Sequence, residues 1–230
     1  MPSDVDFLSP FRAARGKEGG QERRPVGSDV VAAGASIDVV VFDLGGVIMD
    51  LAGLKGFLRR HELDIGEFFS RALAGGAHAE FERGALDAGE YAAAFLAETG
   101  LDLDPEQFLA EFAGWPGGLF PGVAELLDEI PVTTASLSNT NPVHWHSEFC
   151  TAVVLPLFDR HFPSYQLGLA KPDPAIFRRV AGLLDVEPAR VVFFDDNQVN
   201  VDSAASVGMH AHRVDGPDAA RAVLAAAGVV

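Results

Sequence analysis

Three acidic residues directly follow apolar runs that are typical of buried parallel strands. Asp43 ends the run Val39–Phe42 and precedes two glycines, while Asp195 and Asp196 end the run VVFF. The carboxyl ends of parallel strands lie on one rim of a sheet, so we expect these carboxylates to converge. Converging carboxylates repel one another unless they share a cation. Mg²⁺, which binds carboxylate and phosphate oxygens, suits such a place.

Each of these acids also has a purely structural explanation. Asp43 can cap a turn at the end of its strand. Asp195, Asp196 and Asn197 can cap the following helix. A single cap needs only one such residue, so three in a row leave side chains whose presence the cap does not explain.

Two further motifs carry groups that suit a phosphate. Ser138 and Asn139 follow another apolar run and offer a hydroxyl and an amide, although both are also ordinary turn residues. Lys171 lies in the segment GLAKPDP, where the prolines after it fix the chain. An ammonium held there can neutralise both a nucleophilic carboxylate and a transferring phosphoryl group. The alternative is a solvated loop lysine.

Hydrophobic periodicity around these residues predicts strands that alternate with helices. Such alternation favours an α/β fold with a doubly wound parallel sheet. The predicted strands cover residues 39–42, 132–137, the vicinity of 162, 191–194 and 209–214. The predicted helices cover 54–61, 123–129, 142–150, 174–184, 199–207 and 219–227.

One segment does not fit this alternation. Residues 64–112 have helical periodicity without a strand, which is too long for a simple crossover of about a dozen residues or a little more. We therefore predict a helical cap at 53–119, inserted into a core domain formed by 37–52 and 120–230. Residues 1–36 are rich in charge and poor in apolar side chains, and we expect a disordered leader.

The composition excludes several classes of partner. The formal net charge of -16 repels nucleic acid and anionic lipid. Apolar runs fall far short of the roughly 20 residues that cross a bilayer, and the N-terminal segment lacks the apolar centre of a signal peptide. One cysteine excludes an intramolecular disulfide and favours a cytoplasmic location. The sequence does not indicate the oligomeric state.

Other reactive residue types give weaker signals. Cys150 lies in a predicted helix beside an aromatic residue and is interpreted as a small core residue. His144 with His146, and His210 with His212, form pairs that have no third ligand nearby in the sequence. Both pairs are interpreted as surface or packing residues.

The motifs, taken in order, resemble those of the haloacid dehalogenase-like (HAD) hydrolase superfamily. The similar segments are FDLGGV, LSNT, the lysine of GLAKPDPAIF, and FFDDNQVNV followed by AxxxGM. The helical insert resembles a subfamily I cap. Its segment EFERGALDAGEY resembles the branch with sugar-1-phosphate phosphatases and the phosphatase domain of soluble epoxide hydrolases. The resemblance extends from about residue 37 to the C-terminus and implies a Rossmann-like core.

The resemblance implies a Mg²⁺-dependent phosphatase of a small phosphorylated metabolite, such as a sugar phosphate. It makes Asp43 the nucleophile, which forms an aspartyl-phosphate, and Lys171 the cation that stabilises the phosphoryl charge. The other implied residues bind phosphate (Ser138, Asn139, Gly46), hold Mg²⁺ (Asp43, the backbone carbonyl of Gly45, Asp196) or support the site from behind (Asp195, Asn200).

One position departs from the family pattern. Phosphatases of this family usually carry a second aspartate two residues after the nucleophile, as general acid and then base, and this sequence has Gly45 there. Such catalysis contributes about 10²- to 10⁴-fold. The substrate can have a better leaving group, or Asp50, Glu82 or His78 can supply the proton. Otherwise the chain is a metal-independent 2-haloacid-type dehalogenase or a weakly active metabolite-binding protein. Phosphatases with glycine there occur in the same branch, which favours the phosphatase.

Overall fold

The computed structural model describes residues 36–68 and 76–230, and its centre is a sheet of five parallel strands. In chain order the strands are β1 (Val39–Phe42), β2 (Thr133–Ser138), β3 (Arg160–Pro163), β4 (Val191–Asp195) and β5 (His210–Arg213). Their order across the sheet is β3-β2-β1-β4-β5, and every neighbouring pair is parallel. The chain places β2 and β3 on one side of β1 and β4 and β5 on the other, so the predicted doubly wound α/β fold is confirmed.

Helices connect and cover these strands. In chain order the described α-helices are α1 (Ala52–Arg60), α2 (Ile65–Phe68), α3 (Gly76–Glu82), α4 (Ala88–Thr99), α5 (Pro105–Ala113), α6 (Val123–Glu129), α7 (Pro142–Trp145), α8 (Ser164–Leu167), α9 (Pro174–Leu184), α10 (Gln198–Ser206) and α11 (Pro217–Ala226). The connection between α7 and β3 contains a π-helical turn (Cys150–Val154) and a 3-10 turn (Leu155–Leu157).

The two faces of the sheet bury different side chains. Val40 and Phe42 pack with residues of α6 and α11 on one face. Val39 and Val41 pack with residues of α9 and α10 on the other face. Because β1 is buried on both faces, its sequence is continuously apolar rather than alternating. The same pattern lets Asp43 stand out as the first charged residue after the strand.

Helices α1 to α5 lie between β1 and β2 and share a hydrophobic core of their own. Its large aromatic members are Phe57, Phe68, Phe81, Tyr91, Phe95, Phe108, Phe112 and Trp115. Asp87 and Glu90 form a capping box at the start of α4, and Asp104 caps α5. The division into a cap at 53–119 and a core stays a prediction.

Parts of two predicted segments lie outside the described residues. These are residues 1–35 of the predicted leader and residues 69–75 of the helical insert. Across 36–68 and 76–230, none of the helices combines the length and the apolar character that a membrane span requires.

One predicted helix is shorter than expected. The sequence predicts a helix over 142–150, but α7 ends at Trp145. The Ser147 hydroxyl donates to the carbonyl of His144 (2.7 Å) and accepts from the backbone N–H of Cys150 (3.2 Å). A serine that bonds locally to the backbone in this way competes with helical hydrogen bonds, so the chain changes direction there.

Candidate active site

The site forms where the chain reverses its direction of winding across the sheet. From β1 the chain continues to β2 and β3 on one side, and it then returns to place β4 on the other side of β1. Asp43 follows β1 and Asp195 ends β4, and the N–H of Asp43 donates to the carbonyl of Phe194 (2.8 Å). Ligands bind to α/β sheets at such a switch point, beyond the carboxyl ends of the strands.

Lys171 joins the two acidic strand ends. Its Nζ lies 2.9 Å from Oδ1 of Asp43 and 2.6 Å from Oδ2 of Asp195. The lysine side chain is 1% exposed, and that of Asp195 is not exposed at all. A buried ammonium between two carboxylates is fixed in place, which excludes the alternative of a solvated loop lysine.

Asp195 uses both carboxylate oxygens within the protein. Oδ2 contacts Lys171, while Oδ1 accepts from the backbone N–H of Asn197 (2.9 Å) and from Nδ2 of Asn200 (2.9 Å). The side chain of Asn200 is thereby tied to the same carboxylate. Asp195 thus holds Lys171, and Asn200 holds Asp195, as expected for residues that support the site without contacting the substrate.

The loop that carries Lys171 is held by Asn139. The backbone N–H of Lys171 donates to Oδ1 of Asn139 (2.8 Å), and Nδ2 of Asn139 donates to the carbonyl of Lys171 (2.9 Å). The family resemblance implies that this amide binds phosphate, and this stays a prediction. Its two hydrogen bonds give it a positioning task, and both Asn139 and Ser138, at the end of β2, border the cavity.

Burial and charge act on the ionisation of the central groups. Burial raises the pKa of Asp43 to about 7, and the charge of Asp195 adds to this rise while Lys171 opposes it. Burial by itself disfavours charged Lys171, but the charges of Asp43 and Asp195 outweigh it and raise the lysine pKa. Burial and the charge of Asp195 also raise the pKa of Asp196. The cluster therefore holds more negative charge than one lysine neutralises.

This donor set fits a divalent cation. Asp43, Asp195 and Asp196 each place a carboxylate oxygen within 4.8 Å of the others. Asp195 is committed to protein contacts, whereas Asp196 is exposed to the cavity. Oxygen ligands from one or two carboxylates are what Mg²⁺ takes in proteins. Asp43 and Asp196 are accordingly the carboxylates available to hold it.

Gly46 lets the β1 loop approach this cluster closely. Its φ is +73°, and a Cβ there would lie only 2.4 Å from Oδ2 of Asp196. A side chain at this position would displace the carboxylate. Gly45, one residue earlier, borders the cavity itself.

A cavity of about 640 Å³ opens over the carboxylates. Most of the candidate site residues named from the sequence border it, namely Asp43, Gly45, His78, Glu82, Ser138, Asn139, Lys171, Asp196 and Asn200. Asp195 lies buried behind them. The cavity is large enough for a small metabolite.

Asp50 is not among the residues that border this cavity. Its Oδ1 accepts from the backbone N–H of Ala52 at 3.0 Å, at the start of α1. A Cβ on Gly117 would lie 1.5 Å from the same oxygen, so the two segments are in close contact. The structure thus gives Asp50 a local structural contact and does not bring it to the other candidate residues.

The cavity is also bordered by Trp115, Arg213 and His144, none of which was selected from the sequence as a site residue. Trp115 comes from the end of the helical insert and Arg213 from the end of β5. His144, interpreted as a surface or packing residue, also borders the cavity, and its Nε2 lies 2.7 Å from the carbonyl of Phe112. Burial lowers the pKa of His144 to about 4, so it is neutral at pH 7. The strand-end position of Arg213 was the one signal available.

Two curated relatives match most of this chain and most of their own length. A D-ribitol-5-phosphate phosphatase from Bacteroides thetaiotaomicron is 30% identical over 184 residues, which cover 74% of this chain and 87% of the relative. An (S)-2-haloacid dehalogenase from Xanthobacter autotrophicus is 29% identical over 194 residues, 77% of this chain and 75% of the relative. The chain spans only 10% to 53% of the length of three other curated relatives.

The fold likewise has counterparts among solved structures. A HAD family enzyme from Bacteroides thetaiotaomicron, solved in complex with magnesium and inorganic phosphate, matches with a TM-score of 0.64 and 24% identity, over 77% of this chain and 94% of that one. The family model described as haloacid dehalogenase-like hydrolase matches residues 37–208. The chain therefore belongs to the haloacid dehalogenase-like hydrolase family.

Proposed function

We propose that this hydrolase is a Mg²⁺-dependent phosphatase of a small phosphorylated metabolite. The observation that carries the proposal is the carboxylate cluster, in which Lys171 bridges Asp43 and Asp195 while Asp196 stays open to the cavity. A nucleophile fixed by a buried cation, beside an unused carboxylate, suits phosphoryl transfer, where positioning and charge compensation dominate catalysis.

Asp43 is the nucleophile in this proposal. One Asp43 oxygen attacks phosphorus, the bond to the leaving oxygen breaks, and an aspartyl-phosphate forms that water then hydrolyses. Lys171 holds the carboxylate in place and offsets the phosphoryl charge. Ser138 borders the same cavity, and its hydroxyl can donate to a phosphoryl oxygen.

Asp43, the backbone carbonyl of Gly45 and Asp196 would hold Mg²⁺. When bound, the ion offsets the repulsion between the phosphate and the carboxylates. Asp195 accepts from Lys171, and Asn200 donates to Asp195 and so holds that carboxylate in place. Gly46 contributes by leaving space against Asp196.

A second candidate is a metal-independent 2-haloacid dehalogenase. The glycine at position 45 favours it, because halide leaves without a proton, and a relative with this activity is 29% identical. The carboxylate of Asp196 argues against a dehalogenase, because it completes a possible metal site and the displacement of halide requires no metal. The weakly active metabolite-binding protein is the third candidate.

A substrate panel with and without Mg²⁺ separates the three. The phosphatase releases phosphate from sugar phosphates or other small esters only with Mg²⁺, and Asp43→Asn abolishes this release. Chloride release from 2-chloropropionate without metal would move the assignment to a dehalogenase. Binding of panel members without turnover would favour the metabolite-binding protein.

A further inference from the structure

A chain of three polar side chains in the helical insert reaches the cavity. The hydroxyl of Tyr91 lies 2.9 Å from Nδ1 of His78, and Nε2 of His78 lies 3.4 Å from Oε1 of Glu82. Tyr91 is fully buried and His78 is 7% exposed, while both His78 and Glu82 border the cavity that Asp43 also borders. Polar groups buried among aromatic rings are costly unless they are hydrogen-bonded, and here Tyr91 and His78 are partners of one another.

The arrangement distinguishes the role of Glu82 from that of His78. Each ring nitrogen of His78 has a polar neighbour in the protein, since Nδ1 lies beside the Tyr91 hydroxyl and Nε2 beside Oε1 of Glu82. Burial and the charges of Glu82 and Glu98 raise the pKa of Tyr91, which keeps its hydroxyl protonated and able to donate to Nδ1. Oε2 of Glu82 makes no hydrogen bond with any residue in the described ranges and is available to a ligand.

The backbone of Glu82 is tied to the core domain. The Ser164 hydroxyl lies 2.6 Å from the carbonyl of Glu82 and 3.0 Å from that of Thr140, and it also accepts from the backbone N–H of Thr140 (2.9 Å). Thr140 closely follows Ser138 at the end of β2. A Cβ on Gly84 would lie 2.5 Å from the carbonyl of Tyr165, so this end of α3 is held closely against α8. Glu82 is therefore fixed relative to the strand ends.

Displacement at phosphorus is in line, so the leaving oxygen departs on the side opposite the nucleophile. Asp43 attacks from the sheet rim, and the leaving oxygen then faces the part of the cavity that the helical insert borders. The water that hydrolyses the aspartyl-phosphate must approach from that same side. A single group on the insert can serve both steps.

We propose that Glu82 is the general acid and base of the reaction, with His78 and Tyr91 as its positioning residues. This inference rests on the proposed phosphatase function and names the group that replaces the side chain lacking at Gly45. It also explains why a glutamate, a histidine and a tyrosine are held together inside an otherwise aromatic core.

The proton balance is closed over one turnover. In the first step the electron pair of the breaking P–O bond stays on the leaving oxygen, which takes the proton of the Glu82 carboxyl group. In the second step water attacks phosphorus, its proton passes to the Glu82 carboxylate, and the electron pair of the broken acyl phosphate bond returns to Asp43. Glu82 is then protonated again, so no external acid is required.

The test compares two esters with Mg²⁺, p-nitrophenyl phosphate and an alkyl phosphate of the substrate panel. For Glu82→Gln we expect kcat on the alkyl ester to fall by about 10²- to 10⁴-fold, because alkoxide leaves poorly without an acid. Nitrophenolate leaves without one, so this variant gives a burst of nitrophenolate and then turns over slowly. The phosphoryl group accumulates on Asp43, because its hydrolysis lacks the base.

Glu80→Gln is the matched control, since Glu80 is exposed on the same helix. It should turn over both esters at the wild-type rate. Equal kcat in Glu82→Gln and Glu80→Gln on the alkyl ester would overturn the inference while leaving the phosphatase in place. A wild-type protein that hydrolyses neither ester contradicts the proposed function itself.

The positioning role is tested with Tyr91→Phe, which removes only the hydroxyl. We expect a lower kcat on both esters with unchanged KM, and a nitrophenolate burst like that of Glu82→Gln. Lower thermal stability without any burst would contradict the positioning role.

Discussion

The side-chain amide of Asn139 binds the backbone of Lys171 at both its N–H (2.8 Å) and its carbonyl (2.9 Å). The end of β2 thereby fixes the lysine that bridges Asp43 and Asp195. The lysine stands in a segment far from both acids in the sequence. Its position in the site therefore depends on this one amide as well as on the charges around it.

Asn139→Ala is expected to lower both turnover and stability. The variant leaves two backbone groups of Lys171 without partners, which costs about 1–3 kcal/mol for each buried group that finds no water. Asn139→Asp keeps the acceptor and loses the donor, so its turnover and stability should lie between those of the wild type and of Asn139→Ala. Urea unfolding and kcat check this, and wild-type values for Asn139→Ala would show that the lysine is held without it.

Lys171→Met removes the cation between two carboxylates. Because Asp195 is buried, we expect the free energy of unfolding to fall by about 3–5 kcal/mol and turnover to be lost. Mg²⁺ should restore part of the stability, since it offsets the same repulsion. Lys55→Met, at an exposed position, is the control. Thermal unfolding with and without Mg²⁺ measures the effect, and equal stability of the two variants would contradict it.

Gly46→Ala tests the close approach to Asp196. The added methyl would displace this carboxylate, so we expect Mg²⁺ affinity to fall roughly 10- to 100-fold. Gly122→Ala is matched to it, because Gly122 also has a positive φ (+84°) but open space around it. Calorimetric titration with Mg²⁺ compares the two. Equal affinities would mean that Asp196 does not hold the ion.

Gly45→Asp supplies the carboxyl group that most phosphatases of the family carry. A Cβ at Gly45 lies 3.9 Å from its nearest neighbour, a methyl of Leu51, so the backbone tolerates a side chain. In the Glu82→Gln background we expect this change to raise kcat on the alkyl phosphate. Unchanged kcat in the double variant would contradict the view that the two carboxyl groups serve the same step.

The burial of His161 should make the free energy of unfolding decrease as the pH falls. This histidine is buried on β3, its Nδ1 lies 3.1 Å from the Ser136 hydroxyl, and burial lowers its pKa to about 4. The unfolded histidine titrates near 6.5, so between about pH 6.5 and 4 the unfolded chain binds a proton that the native chain refuses. Stability is fully present above this window and is lost as the pH falls through it, by at most about 1.4 kcal/mol per pH unit.

Urea unfolding between pH 7 and 4.5 measures this slope. His161→Gln should lower the slope, with the remainder carried by groups such as His144, whose pKa is lowered in the same direction. A slope in His161→Gln equal to that of the wild type would contradict the prediction.

The fold and the strand-end residues were predictable because they follow from local rules. Continuous apolar runs marked β1 and β4 as buried parallel strands, and the acids after them had to lie on one rim. The same rule predicted that Ser138 lies near these acids. Lys171 follows no strand, and its role was inferred from the prolines after it and from the family resemblance. The end of α7 was predicted wrongly, because the side chain of Ser147 competes with the helix there.

The contributions of the helical insert were harder to predict. Helical periodicity shows which face is apolar but not how the insert sits over the sheet. Trp115 therefore borders the cavity without any signal in the sequence, and His144 of α7 borders it while contacting the insert at Phe112. The sequence offered Glu82 and His78 as two of several possible proton donors. The contact of Ser164 with the carbonyl of Glu82, which the sequence does not reveal, shows how Glu82 is held near the strand ends. Asp50, named beside them, contacts the start of α1 instead.

The most direct test of the account is to trap the covalent intermediate. The protein is mixed with a turned-over phosphate ester and Mg²⁺, quenched in acid, digested and analysed by mass spectrometry. We expect a phosphoryl group on the peptide that contains Asp43, present with Mg²⁺ and absent when the metal is chelated. An unmodified Asp43 peptide during steady-state phosphate release would contradict it.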